Sequence, residues 1–224
     1  MLNQDQISNY HKDGYLSGIP ILNEVEAGHY REQFDALEKR EGDEKCQIGL
    51  QSRHFEERFI WELASNTKIL DCIEALIGSH IMLLATHFFC KYGDGGTATK
   101  FVAWHQDVTY WGLRPPKAIS VWLAIDDVDE ENGAMLVIPR THTQTYEHGK
   151  SDDDENLLSV NQAIDDGAFD VALLQSRGST TTPRDGIIRI ALEGTGVVGN
   201  GEVEVTLVVV RDRAIHPGAG KAGI

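Results

Sequence analysis

The chain has 224 residues, 41% hydrophobic and 25% charged, with a formal net charge of -15, a balance that describes one folded domain over 1–224 rather than a disordered chain. No run approaches the roughly 18 apolar residues a membrane helix requires, and the polar opening MLNQDQISNYHKDGY lacks a signal peptide's apolar centre, so a cytoplasmic protein without a membrane partner is expected. The acidic balance argues against nucleic acid, whose partners need a basic surface to displace counterions, and leaves room for a small-molecule substrate, even an anionic one met by a few local cations.

Residues 1–80 read as a helical scaffold. Asn3 is placed to cap and Gly14 to stop a helix over 3–13. Asn23 precedes EVEAGHYREQFDALEK, in which Val25, Tyr30, Phe34 and Leu37 recur at helical spacing. A third helix is predicted from Asn66 to Gly78, with Ile69, Leu70, Ile73, Leu76 and Ile77 as its apolar face. Cys46, Cys72 and Cys90 have no CxxC spacing and read as reduced, packed thiols.

From Ile81 the pattern changes to short β-branched and aromatic runs, IMLLATHFFCKY, KFVAWHQDV, AISVWLAI and AMLVIP, separated by DGG, RPP and ENG turns. Residues 81–175 therefore read as the core of an antiparallel barrel or jelly roll, whose mouth is where a metal and a small ligand would sit. The stretch SDDDENLLSVNQAIDDG reads as an acidic exposed loop. Residues 176–224 form an atypical tail: of the chain's aromatic residues only Phe169 lies beyond residue 150, although GIIRIAL and EVEVTLVVV retain strand character.

The chemistry concentrates in Trp104-His105-Gln106-Asp107. On a strand, residues two apart share a face, so His105 and Asp107 can aim an imidazole and a carboxylate at one metal ion. These are two thirds of a facial triad, in which two His and one carboxylate hold one face of Fe(II) and leave positions for a 2-oxo acid and dioxygen. H-x-D alone is a weak pattern; the β-rich setting, the preceding Gly93, Gly95 and Gly96, and the following strand with Trp122 strengthen it. On the strand before it, His87, Phe89 and Lys91 alternate and can share one face, toward a pocket or toward solvent. Tyr110 and Trp111 can line an entrance or pack in the core.

The opening QISNYHKDGYL, the segment HFFCKYG and the run WHQDVTYWGLRPPKAISVWLAIDDVDEENGAMLVIPRTH resemble the phytanoyl-CoA dioxygenase family of iron(II)- and 2-oxoglutarate-dependent oxygenases, over about residues 1–175. The resemblance implies a double-stranded β-helix (jelly roll, cupin-like) behind N-terminal helices, with His105 and Asp107 binding iron and Gln106 and Trp122 lining the 2-oxoglutarate pocket. It gives the ENGAMLVIPRTH run no metal ligand, which makes His142 a loop residue, and it puts Arg53 near a basic position of the cosubstrate site. The activity implied is hydroxylation of a small organic substrate with release of succinate and carbon dioxide. An intact Asp107 favours hydroxylation over halogenation, which in related enzymes uses a small residue there.

Beyond about Gln175 the resemblance stops. The family's third ligand is a His expected near residues 185–192, where this chain reads DGIIRIAL. The one later histidine is His216, which either completes a triad or is a solvated residue near the terminus; Arg211 and Arg213 are the nearby cations. The barrel is accordingly expected to be incomplete at its C-terminal end, with TLVVVR on an exposed edge. The rival to an active oxygenase is an inactive relative that keeps the fold as a binding or interaction module without the third ligand. A cupin-like binding barrel with no redox role is a third reading.

Overall fold

The computed structural model describes residues 2–90, 92, 101–113, 118–128, 134–153, 156–157, 162–170 and 172, and as backbone alone residues 178–179, 187–192 and 204–211; residue 48 is also described by its backbone. The three predicted turns at DGG, RPP and ENG lie outside these residues, as do Lys91, Gly93, Gly95, Gly96, Arg213 and His216.

Helices α1 (Gln4–Asp13) and α2 (Glu24–Glu41) begin with reciprocal capping boxes, Asn3 with Gln6 and Asn23 with Glu26. Each satisfies two backbone donors that a helix start leaves open. Gly14 closes α1 in the left-handed conformation (φ 86°), and α5 (Thr67–Ile77) runs between Asn66 and Gly78. Along α2 the helical periodicity holds for Phe34 and Leu37, but Val25 is 82% exposed. Sequence reading missed α3 (Asp43–Ile48) and α4 (Arg58–Ala64), which lack side-chain caps. It also missed β1 (Tyr15–Pro20), so the first 80 residues contribute a strand as well as helices.

One five-stranded antiparallel sheet organises the domain, in the order β1, β8 (Ile187–Leu192), β3 (Ala118–Ala124), β9 (Glu204–Arg211), β2 (Ile81–Phe89). Two short pairs accompany it: β4 (Leu136–Val137) with β7 (Gly178–Ser179), and β5 (Gly149–Lys150) with β6 (Gln162–Ala163). Among the described residues the open C-terminal edge expected from the sequence is not found. Both tail strands lie inside the sheet, β8 between β1 and β3 and β9 between β3 and β2, which leaves β1 and β2 as its edges. The physical reason is that GIIRIAL and EVTLVVVR retain enough β-branched character to pair on both sides, whatever the tail lacks in aromatics.

Strand β3 separates two layers by simple alternation. Ile119, Val121 and Leu123 pack with Phe34, Ile60 and Ile73 of the helical layer. Trp122 and Ala124 face the other way, toward Val128, Met135 and Val137. Strand β2 reaches the same arrangement through a bulge: Leu83 pairs with Val209 and Ala85 with Val208, leaving Leu84 extra. Ile81 and Leu83 point to the helices before it, and Phe88, fully buried there, does so after it. A bulge re-aims the side chains that follow it; this one turns His87 and Phe89 onto the face that β3 gives to Ser120 and Trp122. Among the described residues no helix is long and apolar enough to cross a membrane.

Candidate metal centre

His105 and Asp107 come together, but not on a strand. Residues 102–106 belong to no helix or strand and lead into a single-turn helix, α6 (Val108–Trp111), with Asp107 at its start in helical geometry. The expected strand over KFVAWHQDV is replaced by a segment pinned from the side: Leu157 N–H donates to Phe101 O (2.7 Å), Ile164 N–H to Trp104 O (2.7 Å), and Ala103 N–H to Asn156 Oδ1 (3.1 Å). It is the turn into α6, rather than pleat alternation, that sets the carboxylate beside the imidazole.

His105 is buried, its Nδ1 2.8 Å from the Ala103 carbonyl and its Nε2 3.0 Å from Asp107 Oδ1. A carbonyl only accepts, so Nδ1 carries a proton. Nε2 then faces a carboxylate oxygen, and the contact is favourable only with a cation between them, a proton or a metal. Burial disfavours a charged imidazole, yet the Asp107 carboxylate outweighs it and raises the pKa of His105 above its ordinary value. Burial likewise works against the Asp107 anion, and the contacts from His105 and Ser120, with the charge of His87, hold its pKa below the usual value.

The spacing suits a divalent ion. Bonds of about 2.1 Å to an imidazole nitrogen and a carboxylate oxygen, set at a right angle, separate the two atoms by roughly 3.0 Å. A ligating His that donates its other N–H to a backbone carbonyl is also the usual orienting arrangement.

Around the pair, the inner face of β3 supplies two side chains. Ser120 Oγ donates to Asp107 Oδ2 at 3.0 Å, and Trp122, two residues on and buried, shares that face. Sequence reading missed Ser120, although its parity with Trp122 on AISVWLAI was the available signal. Tyr110 lies against the pair, its ring 6.4 Å from that of His105 and 5.5 Å from that of His148. Burial, with the Asp107 charge, pushes the Tyr110 phenol up to about 12, and its buried hydroxyl has no hydrogen-bond partner among the described residues.

The Gln106 side chain is held by backbone groups of the 141–146 segment. Its amide donates to Gln144 O (2.9 Å) and its Oε1 accepts from Tyr146 N–H (2.8 Å), so these contacts brace the 141–146 loop. His148, unremarked in the sequence, accepts the Gln106 backbone N–H at Nε2 (2.8 Å) and faces Tyr146 O with Nδ1. Burial lowers its pKa. With both nitrogens engaged, His148 is a brace and not a ligand.

His142 lies in a short 3-10 turn, Thr141–Thr143, rather than an irregular loop, and packs over Gly14. Arg53 pairs with Glu41 and Glu56 of the helical layer. Among the described residues no third His, Cys, Asp or Glu completes a metal-binding group with His105 and Asp107. A cavity of about 470 Å³ bounded by Phe101, Trp104, Leu136, Ile164, Asp153 and Asp166 lies beside this segment, and none of His105, Gln106, Asp107 or Trp122 lines it.

A family model described as phytanoyl-CoA dioxygenase (PhyH) matches residues 10–168, well over half of the chain. The chain belongs to the phytanoyl-CoA dioxygenase family. Among curated members of known sequence, the peroxisomal phytanoyl-CoA dioxygenase of Bos taurus is 23% identical over 203 residues, covering 75% of this chain and 60% of that protein. The ectoine dioxygenase of Nocardia farcinica is 25% identical over 156 residues, 63% of this chain and 51% of that protein. This PhyH-family chain thus spans about half to three fifths of the length of these relatives.

Solved structures share the fold at low identity. The epimerase SnoN, in complex with Fe3+, alpha ketoglutarate and nogalamycin RO, superposes with a TM-score of 0.74 at 18% identity, over 99% of this chain and 92% of that one. EctD from S. alaskensis with bound Fe gives 0.72 at 16% identity, over 95% and 78%. The fold of the PhyH-family chain is therefore the cupin-like, mainly β fold with helices of these oxygenases.

Proposed function

We propose that the chain is an iron(II)- and 2-oxoglutarate-dependent oxygenase that hydroxylates a small organic substrate, with His105 and Asp107 as protein ligands of the iron and Trp122 beside the 2-oxoglutarate. The observation that carries this reading is the His105–Asp107 pair, whose 3.0 Å approach with Nδ1 already committed calls for a cation between them. Imidazole and carboxylate are the donors of the facial-triad sites that bind Fe(II) and keep positions open.

Bound iron(II) and 2-oxoglutarate supply the hard chemistry, coupling dioxygen reduction and decarboxylation of the 2-oxo acid to substrate hydroxylation. The chain's own groups do the placing. Ala103 O fixes the His105 ring, Ser120 holds one Asp107 oxygen, and the buried hydroxyl of Tyr110, without a partner among the described residues, is a donor available to an oxygen-rich ligand. Trp122 contributes an apolar wall that helps keep water out. Relatives are named for substrates as different as phytanoyl-CoA, ectoine and L-proline, so the fold leaves the substrate to the pocket.

Anaerobic addition of Fe(II) and 2-oxoglutarate is expected to give a weak visible charge-transfer band, and admission of air to yield succinate. His105→Ala and Asp107→Ala abolish both. The same titration on His216→Ala decides the third protein donor: a loss of affinity matching that of His105→Ala assigns it, and unchanged affinity excludes it. Because DGIIRIAL stands where the family's third ligand is expected, a binding module is the competing reading; 2-oxoglutarate bound without succinate would favour it.

A further inference from the structure

We infer that Ser120 is a positioning residue that turns the Asp107 carboxylate toward the metal; the inference rests on the proposed iron site. Asp107 has two oxygens with different partners: Oδ1 faces His105 Nε2 and Oδ2 accepts the Ser120 hydroxyl, each at 3.0 Å. The two contacts have different fates when a metal ion binds. An ion bound there would take the place of the proton between Nε2 and Oδ1 and end the His105–Asp107 hydrogen bond. Among the described residues the Ser120 hydroxyl would then be the hydrogen bond that remains on the carboxylate, holding Oδ2 and leaving Oδ1 free to bind.

The two residues differ in what holds them. Asp107 begins a single-turn helix, a conformation with little stability of its own. Ser120 sits in β3, the middle strand of the five-stranded sheet, in register with Ala191 of β8 on one side and Val208 of β9 on the other. A side chain on a doubly paired strand is a better reference point than one on a turn.

A second contact runs alongside the first. Trp111, one helical turn after Asp107, packs on Ala118, two residues before Ser120 on the same face of β3. One helical turn advances about 5.4 Å and two strand residues about 6.7 Å. The helix therefore lies along β3 with an apolar contact at one end and the Ser120–Asp107 hydrogen bond at the other. The packing sets where α6 sits, and the hydroxyl sets how its first carboxylate is turned.

The test compares Ser120→Ala and Ser120→Thr with the unmodified chain by Co(II) titration, read from the visible absorption of the bound ion, and by thermal melting without metal. Partners of this kind typically contribute 10- to 100-fold in metal affinity. Ser120→Ala is expected to weaken Co(II) at least about tenfold while the metal-free melting temperature stays close to that of the parent, and Ser120→Thr, which keeps a hydroxyl, to recover most of the affinity. Parent-like affinity in Ser120→Ala, or loss in Ser120→Thr equal to that in Ser120→Ala, overturns the positioning role and leaves the metal site standing. Failure of the unmodified chain to bind Co(II) overturns the site itself.

Discussion

His105 presents Nε2 to Asp107 across 3.0 Å while its Nδ1 is held by the Ala103 carbonyl at 2.8 Å, so a proton and a metal ion compete for one position. Metal binding should therefore stabilise the folded chain and be lost with either residue. At a Co(II) concentration of about 100 times its dissociation constant the gain is roughly 2.7 kcal/mol, or roughly 5–10 °C in melting temperature for a chain of this size. Thermal melts with and without Co(II) should show that rise in the parent and none in His105→Ala or Asp107→Ala. A rise that survives either substitution places the ion elsewhere.

Gln106 separates a brace from a pocket wall. Its Oε1 accepts the backbone N–H of the buried residue Tyr146, so Gln106→Ala leaves that donor unsatisfied. The expected cost is about 1–3 kcal/mol, measured by urea unfolding of the metal-free protein, where no cosubstrate is present. Unchanged stability together with a raised KM for 2-oxoglutarate would instead restore the pocket role that the family resemblance implies.

Legibility in the sequence followed the range of the forces involved. Capping is local, so Asn3, Asn23 and Asn66 announced three helix starts, and Gly14 and Gly78 two ends. The H-x-D pair was visible because its chemistry is written in adjacent residues. Its geometry was not: side-on pinning by Asn156, Leu157 and Ile164 replaces the expected strand, and contacts spanning 50 to 60 residues leave no periodicity to read. Ser120 and His148 act through residues distant in sequence, and the Leu84 bulge that turns His87 inward depends on pairing with β9. The central positions of β8 and β9 were hidden for the same reason, since a sheet's order is decided by which strands meet and not by any one strand's composition.

His54 makes stability depend on acidity. It is buried, its Nδ1 is 2.9 Å from Thr86 Oγ1, and burial lowers its pKa from the ordinary value. The unfolded chain protonates this residue first as pH falls below about 6.5. The stability His54 confers is thus complete above that pH and is lost as pH drops toward its folded pKa, with a slope of at most about 1.4 kcal/mol per pH unit. Urea unfolding at pH 7.5 and 5.5 should show a smaller acid loss in His54→Phe than in the parent. His148, also lowered, acts in the same direction, and His105, raised, acts in the opposite one; both are present in both proteins, so the difference reports His54. Equal losses would show that His54 is accessible to protons in the fold.

Gly14 joins the helical layer to the loop that Gln106 holds. It adopts φ +86°, and a Cβ there would stand 2.3 Å from Nδ1 and 2.6 Å from Cγ of His142. The neighbouring Arg140 N–H donates to Asp13 O at 2.8 Å, and His142 Nε2 lies 3.2 Å from His11 O. An alanine at position 14 therefore meets two separate penalties, about 1–2 kcal/mol for a left-handed backbone and a clash that must push His142 off the end of α1. A double-mutant cycle separates them. Gly14→Ala should destabilise the parent by more than about 2 kcal/mol, and should cost only the backbone share of about 1–2 kcal/mol in a His142→Ala background. Because residues 141–146 also carry the carbonyl and amide that fix Gln106, the displaced loop should weaken Co(II) binding in Gly14→Ala, and the His142→Ala double variant should recover it. Equal costs in the two backgrounds would mean that His142 swings aside freely, and that the contact between α1 and the loop transmits nothing to the site.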